Sequence, residues 1–246
     1  MLRRRIFGSL HNEKFRHRGD EIFRVEALSD AVFAFSVSLL VFSLEVPQTF
    51  HELQIIINGT IPFFATVSIL FLLWYQQYIF FRHYALNDLT TIILNLIYMA
   101  VILFYVYPLK FLFSLLISSW TGINLFPRAA GGIVMANGDF PQLVILYSIG
   151  YFIIWMLLYI MHRRVSYYSQ QLALSQYELL YTRKEKRGAL MNSLIGAIAA
   201  LVAWMGPDWL SGACYLLIPF VLTINEKMFR REARKIGVPL RVQQTA

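Results

Sequence analysis

The chain has 246 residues, 58% of them hydrophobic and 15% charged, with a mean hydropathy of +0.55 and a formal charge of +8. Soluble domains average roughly 45–50% apolar and about 25% charged, so a water-soluble globular protein is excluded and an all-α polytopic membrane protein is expected. One cysteine, Cys214, leaves no intrachain disulfide framework and no cysteine-based metal site.

Residues 1–23 are polar and basic, with Arg3, Arg4, Arg5, Lys14, Arg16 and Arg18, and lack the short apolar core and small-residue cleavage site of a signal peptide. They read as a cytoplasmic leader. A membrane domain follows over 24–226, with six stretches that meet the roughly 20-residue apolar requirement of a bilayer helix, near 28–46, 53–81, 89–117, 143–162, 189–206 and 209–225. The second and third exceed a minimal span, and tilt or helix beyond the membrane would absorb the excess. Between the third and fourth lies an outer loop, and 165–186 is a link with helical spacing that extends its neighbours. Gly206-Pro207-Asp208 are turn residues that make the last two stretches a tight hairpin. Residues 227–246 form a basic cytoplasmic tail whose amphipathic start, 225–236, suits a positive-inside stop signal with affinity for lipid head groups.

All Lys and Arg residues except Lys110 and Arg128 fall on one side of this topology, which puts both termini in the cytoplasm of a multi-pass cell-membrane protein. The opposite side holds Glu45, Glu52, Asp139 and Asp208. An acidic outer mouth would favour cations, and the same residues also suit a solvated loop surface. No internal repeat is evident, which weighs against an inverted-repeat transporter.

The first stretch carries the polar chemistry. Arg24, Ser29 and Asp30 stand at its start, and two stripes follow at helical spacing: Ala31, Phe35, Ser38, Phe42, Glu45, and Ser29, Ser36, Ser43. Ionisable and hydroxyl groups are expensive in hydrocarbon, so this helix is expected to face protein or water. Copies of it around an axis would enclose a narrow tube, with Phe35 and Phe42 as hydrophobic constrictions that gate by dewetting and Ser38 hydroxyls replacing part of an ion's hydration shell. The pattern equally fits packing phenylalanines and a serine bonded to its own helix backbone. A buried Asp30 requires a partner, for which Trp74, Gln76, Gln77 and Asn95 are the candidates; Arg24, six residues away, can reach a shared partner, and the pair equally suits an Arg snorkelling to the interface and an Asp complementing the helix N-terminus.

Arg24-x-x-x-Leu28-Ser29-Asp30, the apolar span to Val46-Pro47, the Trp74-bearing second span, and Asn95 and Pro108 on the third resemble the transmembrane-protein-175 family of potassium-selective channels, persuasively over 24–108. The resemblance implies a subunit of six transmembrane helices and a symmetric homotetramer whose first helix lines a central pore. It also implies no re-entrant selectivity loop, and the sequence holds no Thr-Val-Gly-Tyr-Gly segment. By position it implies a gate at Phe35 and a selectivity hydroxyl at Ser38. Arg24, Ser29 and Asp30 would clamp the helix against Trp74, Gln77 and Asn95. Ala31 and Glu45 would complete the pore lining. Three departures are Leu28 for the signature phenylalanine, Gln77 for a histidine, and Phe35 for a smaller aliphatic.

The expected function is therefore a potassium-permeable cation channel. The alternative is a proton- or cation-coupled secondary transporter, for which Lys110 and Asp88 are the only ionisable candidates in the early spans. No enzyme motif is present, and His11, His17, His51, His83 and His162 are scattered. The expected ligand is permeating K+, with no cofactor and no resident metal. The basic residues follow topology rather than forming the aromatic-interleaved patch that nucleic acid binding requires.

Overall fold

A computed structural model of the chain describes residues 15, 16, 18, 19, 22–42, 47–123, 125, 126, 134, 135, 139–205 and 208–237. Every regular element among them is helical: α1 (Arg24–Phe42), α2 (Phe50–Asn58), α3 (Thr60–Tyr84), α4 (Leu89–Thr121), α5 (Asp139–Tyr167), α6 (Gln176–Met205), α7 (Asp208–Ala213), a 3-10 turn (Cys214–Leu216) and α8 (Leu217–Lys235). Four of these runs are long and apolar enough to cross a bilayer: Glu52–Tyr84 (α2 with α3), Leu89–Thr121, Asp139–Tyr167 and Gln176–Met205.

Two expected spans are interrupted, for the same reason. The stretch near 53–81 breaks between α2 and α3 at Gly59, and the stretch near 209–225 breaks at Cys214–Leu216. Each break lies just upstream of a proline in the first turn of the next helix, Pro62 in α3 and Pro219 in α8. A proline has no N–H for the carbonyl four residues back and its ring crowds that carbonyl, so the helical ladder lapses there. Pro108 interrupts nothing: α4 passes through it, and the Tyr147 hydroxyl from α5 donates to the Pro108 carbonyl. The 165–186 link extends its neighbours as its spacing predicts, with α5 running to Tyr167 and α6 starting at Gln176, and α8 runs past residue 226 to Lys235. The tail thus continues the last helix, burying Asn225, Phe229 and Ala233. The Gly206-Pro207 turn and residues 238–246 lie outside the described residues.

The helices pack in chain sequence. α1 rests on α3 and α4, α4 on α5, α5 on α6 and α6 on α8. Between bilayer helices the hydrophobic drive is weak and close backbone approach matters more. α6 accordingly buries Gly188, Ala189, Ser193, Gly196, Ala199 and Ala203. A Cβ at Gly196 would stand 3.0 Å from both Ser148 O and Phe152 N on α5, so any larger residue would press the two backbones apart at that crossing. One apolar core joins Phe33 and Leu40 of α1 to Leu70, Tyr98, Ile102, Ile154 and Leu158. Large apolar side chains on the outer faces, such as Phe64, Phe71, Phe104 and Trp204, are exposed, as lipid contact requires.

One end of the bundle gathers the described leader residues, the α3–α4 turn, the α5–α6 loop and the end of α8. Ion pairs stitch it together: Arg18–Glu178 (2.9 Å), Arg164–Asp88, Lys184–Glu226 (3.0 Å) and Arg187–Glu232 (2.9 Å). Asp88 also caps α4 by accepting from the Thr91 N–H and hydroxyl. Its partial burial alone would raise its carboxyl; the Thr91 hydroxyl and the Arg164 charge outweigh that and hold it below its ordinary value.

Candidate functional site

α1 opens with half of a capping box. Phe23 occupies the cap position, and its N–H donates to Glu26 Oε1 at 3.2 Å while its carbonyl accepts from the Glu26 and Ala27 N–H groups. The helix has two unlike faces. Val25, Ser29, Phe33, Ser36 and Leu40 are buried against α3 and α4. Ala27, Leu28, Ala31, Ala34, Phe35, Ser38 and Val41 form an exposed edge, with Phe35 54% exposed and Phe33, two residues away, 5% exposed. Ala31, Phe35 and Ser38 therefore share one face, as their spacing predicts. The Phe42 side chain and Glu45 lie outside the described residues.

The inward face carries a continuous polar relay. The Ser29 hydroxyl donates to Val25 O at 2.7 Å and accepts from Asn95 Nδ2 at 2.9 Å, while Asn95 Oδ1 accepts from Gln77 Nε2 at 3.0 Å. Ser29, Asn95 and Gln77 are fully buried, and each finds a partner, as buried polar groups in an apolar surrounding must. One turn away, Trp74 Nε1 donates to Asp30 Oδ1 at 2.7 Å. Tyr98 bonds Leu73 O at 3.0 Å, fixing α4 against α3 just beneath.

Of the candidates for Asp30, the structure selects Trp74. Gln77 pairs with Asn95 instead, although it and Asp30 line one small cleft with Ile22, Glu26, Tyr78 and Arg82. Arg24 departs from expectation. It is exposed and has no hydrogen-bond or ion-pair partner among the described residues. Six residues at 3.6 per turn place it about 120° around the helix from Asp30, so the two cannot reach one partner on one neighbour. The arginine beside Asp30 is Arg82 of α3, whose side chain bonds Tyr78 and Gly19. Leu28 lies on the exposed edge rather than in the relay.

Ser38 donates to Ala34 O at 3.1 Å and Ser36 to Val32 O at 2.8 Å. A hydroxyl spent as a donor keeps its oxygen lone pairs, so Ser38 can bond its own backbone and still offer oxygen to a cation.

Sequence reasoning missed the other end of the helix. Tyr107 of α4 donates to Leu39 O at 3.4 Å and Lys110 Nζ to Leu40 O at 3.3 Å, so a cation and a hydroxyl meet carbonyls of the last turn of α1. A positive charge there complements the helix dipole. Lys110 was legible as an ionisable residue in a span, but its target was not.

Comparison with known proteins identifies the family. The family model for the endosomal/lysosomal potassium channel TMEM175 matches residues 24–105, a segment that spans α1, α3 and the relay residues Ser29, Gln77 and Asn95. A potassium channel of Marivirga tractuosa is 32% identical over 241 residues, covering 92% of this chain and 94% of that one. A crystal structure of a variant of the potassium channel MtTMEM175, in complex with a nanobody–MBP fusion protein, superposes with a TM-score of 0.79 at 31% identity, covering 90% of this chain and 99% of that chain. A lysosomal potassium-selective channel TMEM175 homolog from Chamaesiphon minutus has the same fold at 16% identity and a TM-score of 0.53, over 82% of this chain and 96% of its own. The chain is a membrane protein of the TMEM175 potassium-channel family.

Proposed function

We propose that the subunit assembles as a symmetric homotetramer in the cell membrane, with the exposed edges of four α1 helices enclosing a potassium-permeable pore that lacks a re-entrant selectivity loop. The observation that carries this reading is the split of α1 into a satisfied inward face and an exposed edge bearing Ala27, Ala31, Ala34, Phe35 and Ser38. Small residues on that edge allow copies of the helix to approach closely. Phe35 rings would form the hydrophobic gate, with Phe42 as a second constriction. Ser38 oxygens would replace part of the hydration shell of K+, and Ala31 and Glu45 would complete the lining. Ser29, Asp30, Trp74, Gln77 and Asn95 act as the clamp that fixes the tilt of α1, and Arg24 lies outside that clamp.

The end of the bundle that gathers the basic residues is assigned to the cytoplasm, which makes 1–23 and 227–246 cytoplasmic flanks of the membrane domain. The conduction reading is tested by reconstituting the protein in liposomes and planar bilayers. Potassium current that rises on Phe35→Ala and loses K+ over Na+ preference on Ser38→Ala is the expected result; no ion flux from correctly assembled protein would refute it.

A further inference from the structure

The most elaborate polar site among the described residues is not on α1 but just ahead of it. Arg18 of the leader is 12% exposed and Glu178 of α6 is 2% exposed, and they pair through both carboxylate oxygens at 2.9 Å. A guanidinium has five N–H donors, and here every nitrogen is used. Nε donates to Leu172 O, Nη1 also reaches His83 O and Arg16 O, and Nη2 also reaches Ala173 O. Glu178 further accepts the Arg16 N–H at 2.9 Å and the Ser175 N–H at 2.8 Å. Three residues upstream, the buried Phe15 ring stacks on His83 with centroids 3.9 Å apart and meets Tyr84 and Tyr181 edge-on.

The socket is shaped for this segment. Ala173, whose carbonyl Arg18 takes, has φ +46°, and Ala85, two residues after His83, has φ +48°. Left-handed backbone at non-glycine residues is strained and persists where the surroundings enforce it. A Cβ at Gly19 would stand 2.9 Å from Phe81 O, so only glycine lets the leader lie this close to α3. The Arg18 and Gly19 N–H groups both donate to Arg82 O, and the Arg82 side chain returns a bond to Gly19 O. Arg82 also lines the cleft with Glu26 and Asp30 of α1. Only residues 20–23 separate Gly19 from the first residue of α1. An ion pair between leader and α6 is thus tied, through Arg82, to the start of the first helix.

We propose that Arg18 and Glu178 are positioning residues for conduction: seated in this socket, the leader holds the Arg24 end of α1 back against α3, away from the edge on which subunits meet, and keeps the path wide at that end. This rests on α1 lining the pore. With the leader released, the same end of α1 is free to move inward and the channel spends less time open, while the pore lining itself is unaltered.

Single-channel recording of the full chain in planar bilayers separates the two. For Glu178→Gln and Arg18→Met the expected result is a fall in open probability of about fivefold, the lower end of usual coupling strengths. Unitary conductance and the K+/Na+ permeability ratio should be unchanged. The double variant should lose less than the sum of the two singles, because both remove the shared Arg18–Glu178 pair. Trypsin should cleave after Arg16 faster in Glu178→Gln than in the parent. If a variant fails to assemble by size exclusion, Arg18→Lys, which keeps the charge and loses the fork, takes its place under the same criteria. Unchanged open probability in a variant whose leader has become trypsin-sensitive, or strictly additive effects, would overturn the proposal. Phe35→Ala in the same bilayers is the control for the pore reading: if it too leaves the current unaltered, it is that reading which fails, not the latch alone.

Discussion

The two faces of α1 differ in how they are satisfied. The inward face closes on itself: Phe33 and Leu40 fill the core shared with α3, α4 and α5, and Ser29 is consumed in the relay through Asn95 to Gln77. The outward face, with Ala27, Leu28, Ala31, Ala34, Phe35, Ser38 and Val41, is exposed within one subunit, and its one hydroxyl, Ser38, bonds the backbone of its own helix. Phe33 and Phe35 are the same residue type two positions apart, one 5% and the other 54% exposed. The difference teaches that composition does not assign a side chain its work on this helix; the direction in which it points does. Inward substitutions should therefore reduce stability, and outward substitutions should alter current.

The largest contrast is between the two phenylalanines. Phe33→Ala removes a ring from a packed core and should destabilise by about 2–4 kcal/mol, chiefly through lost contacts and the cavity left behind. Phe35→Ala should stay within about 0.5 kcal/mol of the parent subunit, as exposed substitutions do, while widening the proposed gate and raising potassium current. Thermal unfolding in detergent reads the first effect and bilayer recording the second. Equal losses of stability at the two positions would dissolve the distinction between the faces.

Asn95→Leu should come next. It cuts the bond to Ser29 and strands the Gln77 amide in a buried site, for an expected loss of about 1–3 kcal/mol. Trp74→Phe keeps the ring and deletes one donor to the exposed Asp30, so about 0.5–1 kcal/mol is expected. The ranking itself is the test: if Trp74→Phe exceeds Asn95→Leu in unfolding experiments, the inward relay is not what seats α1.

Much of this arrangement was readable in the sequence, because the signals were local. Ala31, Phe35 and Ser38 share a face by helical periodicity alone, and an Asp in an apolar span demanded a donor, which Trp74 supplies. What periodicity could not give was the pairing between helices. Gln77 and Asn95 were both candidates for Asp30 and chose each other, since that choice depends on the rotation of α3 against α4. The breaks at Gly59 and Cys214–Leu216 were marked by Pro62 and Pro219, but apolar content runs through them unbroken and masks the effect. Arg18–Glu178 joins residues 160 positions apart, and no short-range pattern announces such a contact.

Acid should loosen the ion pairs that gather at the leader end of the bundle. Burial alone would raise the Glu178 carboxyl; the bonds from Arg18 and from the Ser175 and Arg16 N–H groups outweigh it and hold it below its ordinary value of 4.5. A carboxylate with a depressed native value contributes stability that is fully present above the unfolded value and is lost as pH falls through the native one. Stability from this pair should thus be flat from pH 8 to about 5 and decline below about 4.5. Asp88 shares that direction through Thr91 and Arg164. Comparison of melting curves against pH for the parent and Glu178→Gln isolates the Glu178 share, and a decline already complete at neutral pH would contradict the assignment.

The finest test of the two faces uses their serines. Ser36 is fully buried and donates to Val32 O at 2.8 Å; Ser38 is exposed and donates to Ala34 O at 3.1 Å. Each hydroxyl bonds the carbonyl four residues back, an interaction that contributes little to a helix. Ser36→Ala and Ser38→Ala should therefore both change stability by less than about 0.5 kcal/mol, and melting curves should not tell them apart. Ion selectivity should. Only the Ser38 oxygen presents its lone pairs on the edge where a cation would pass, so Ser38→Ala alone should lower the K+/Na+ permeability ratio measured from reversal potentials. Identical ratios in the two variants would mean that the exposed edge of α1 does not touch the permeating ion.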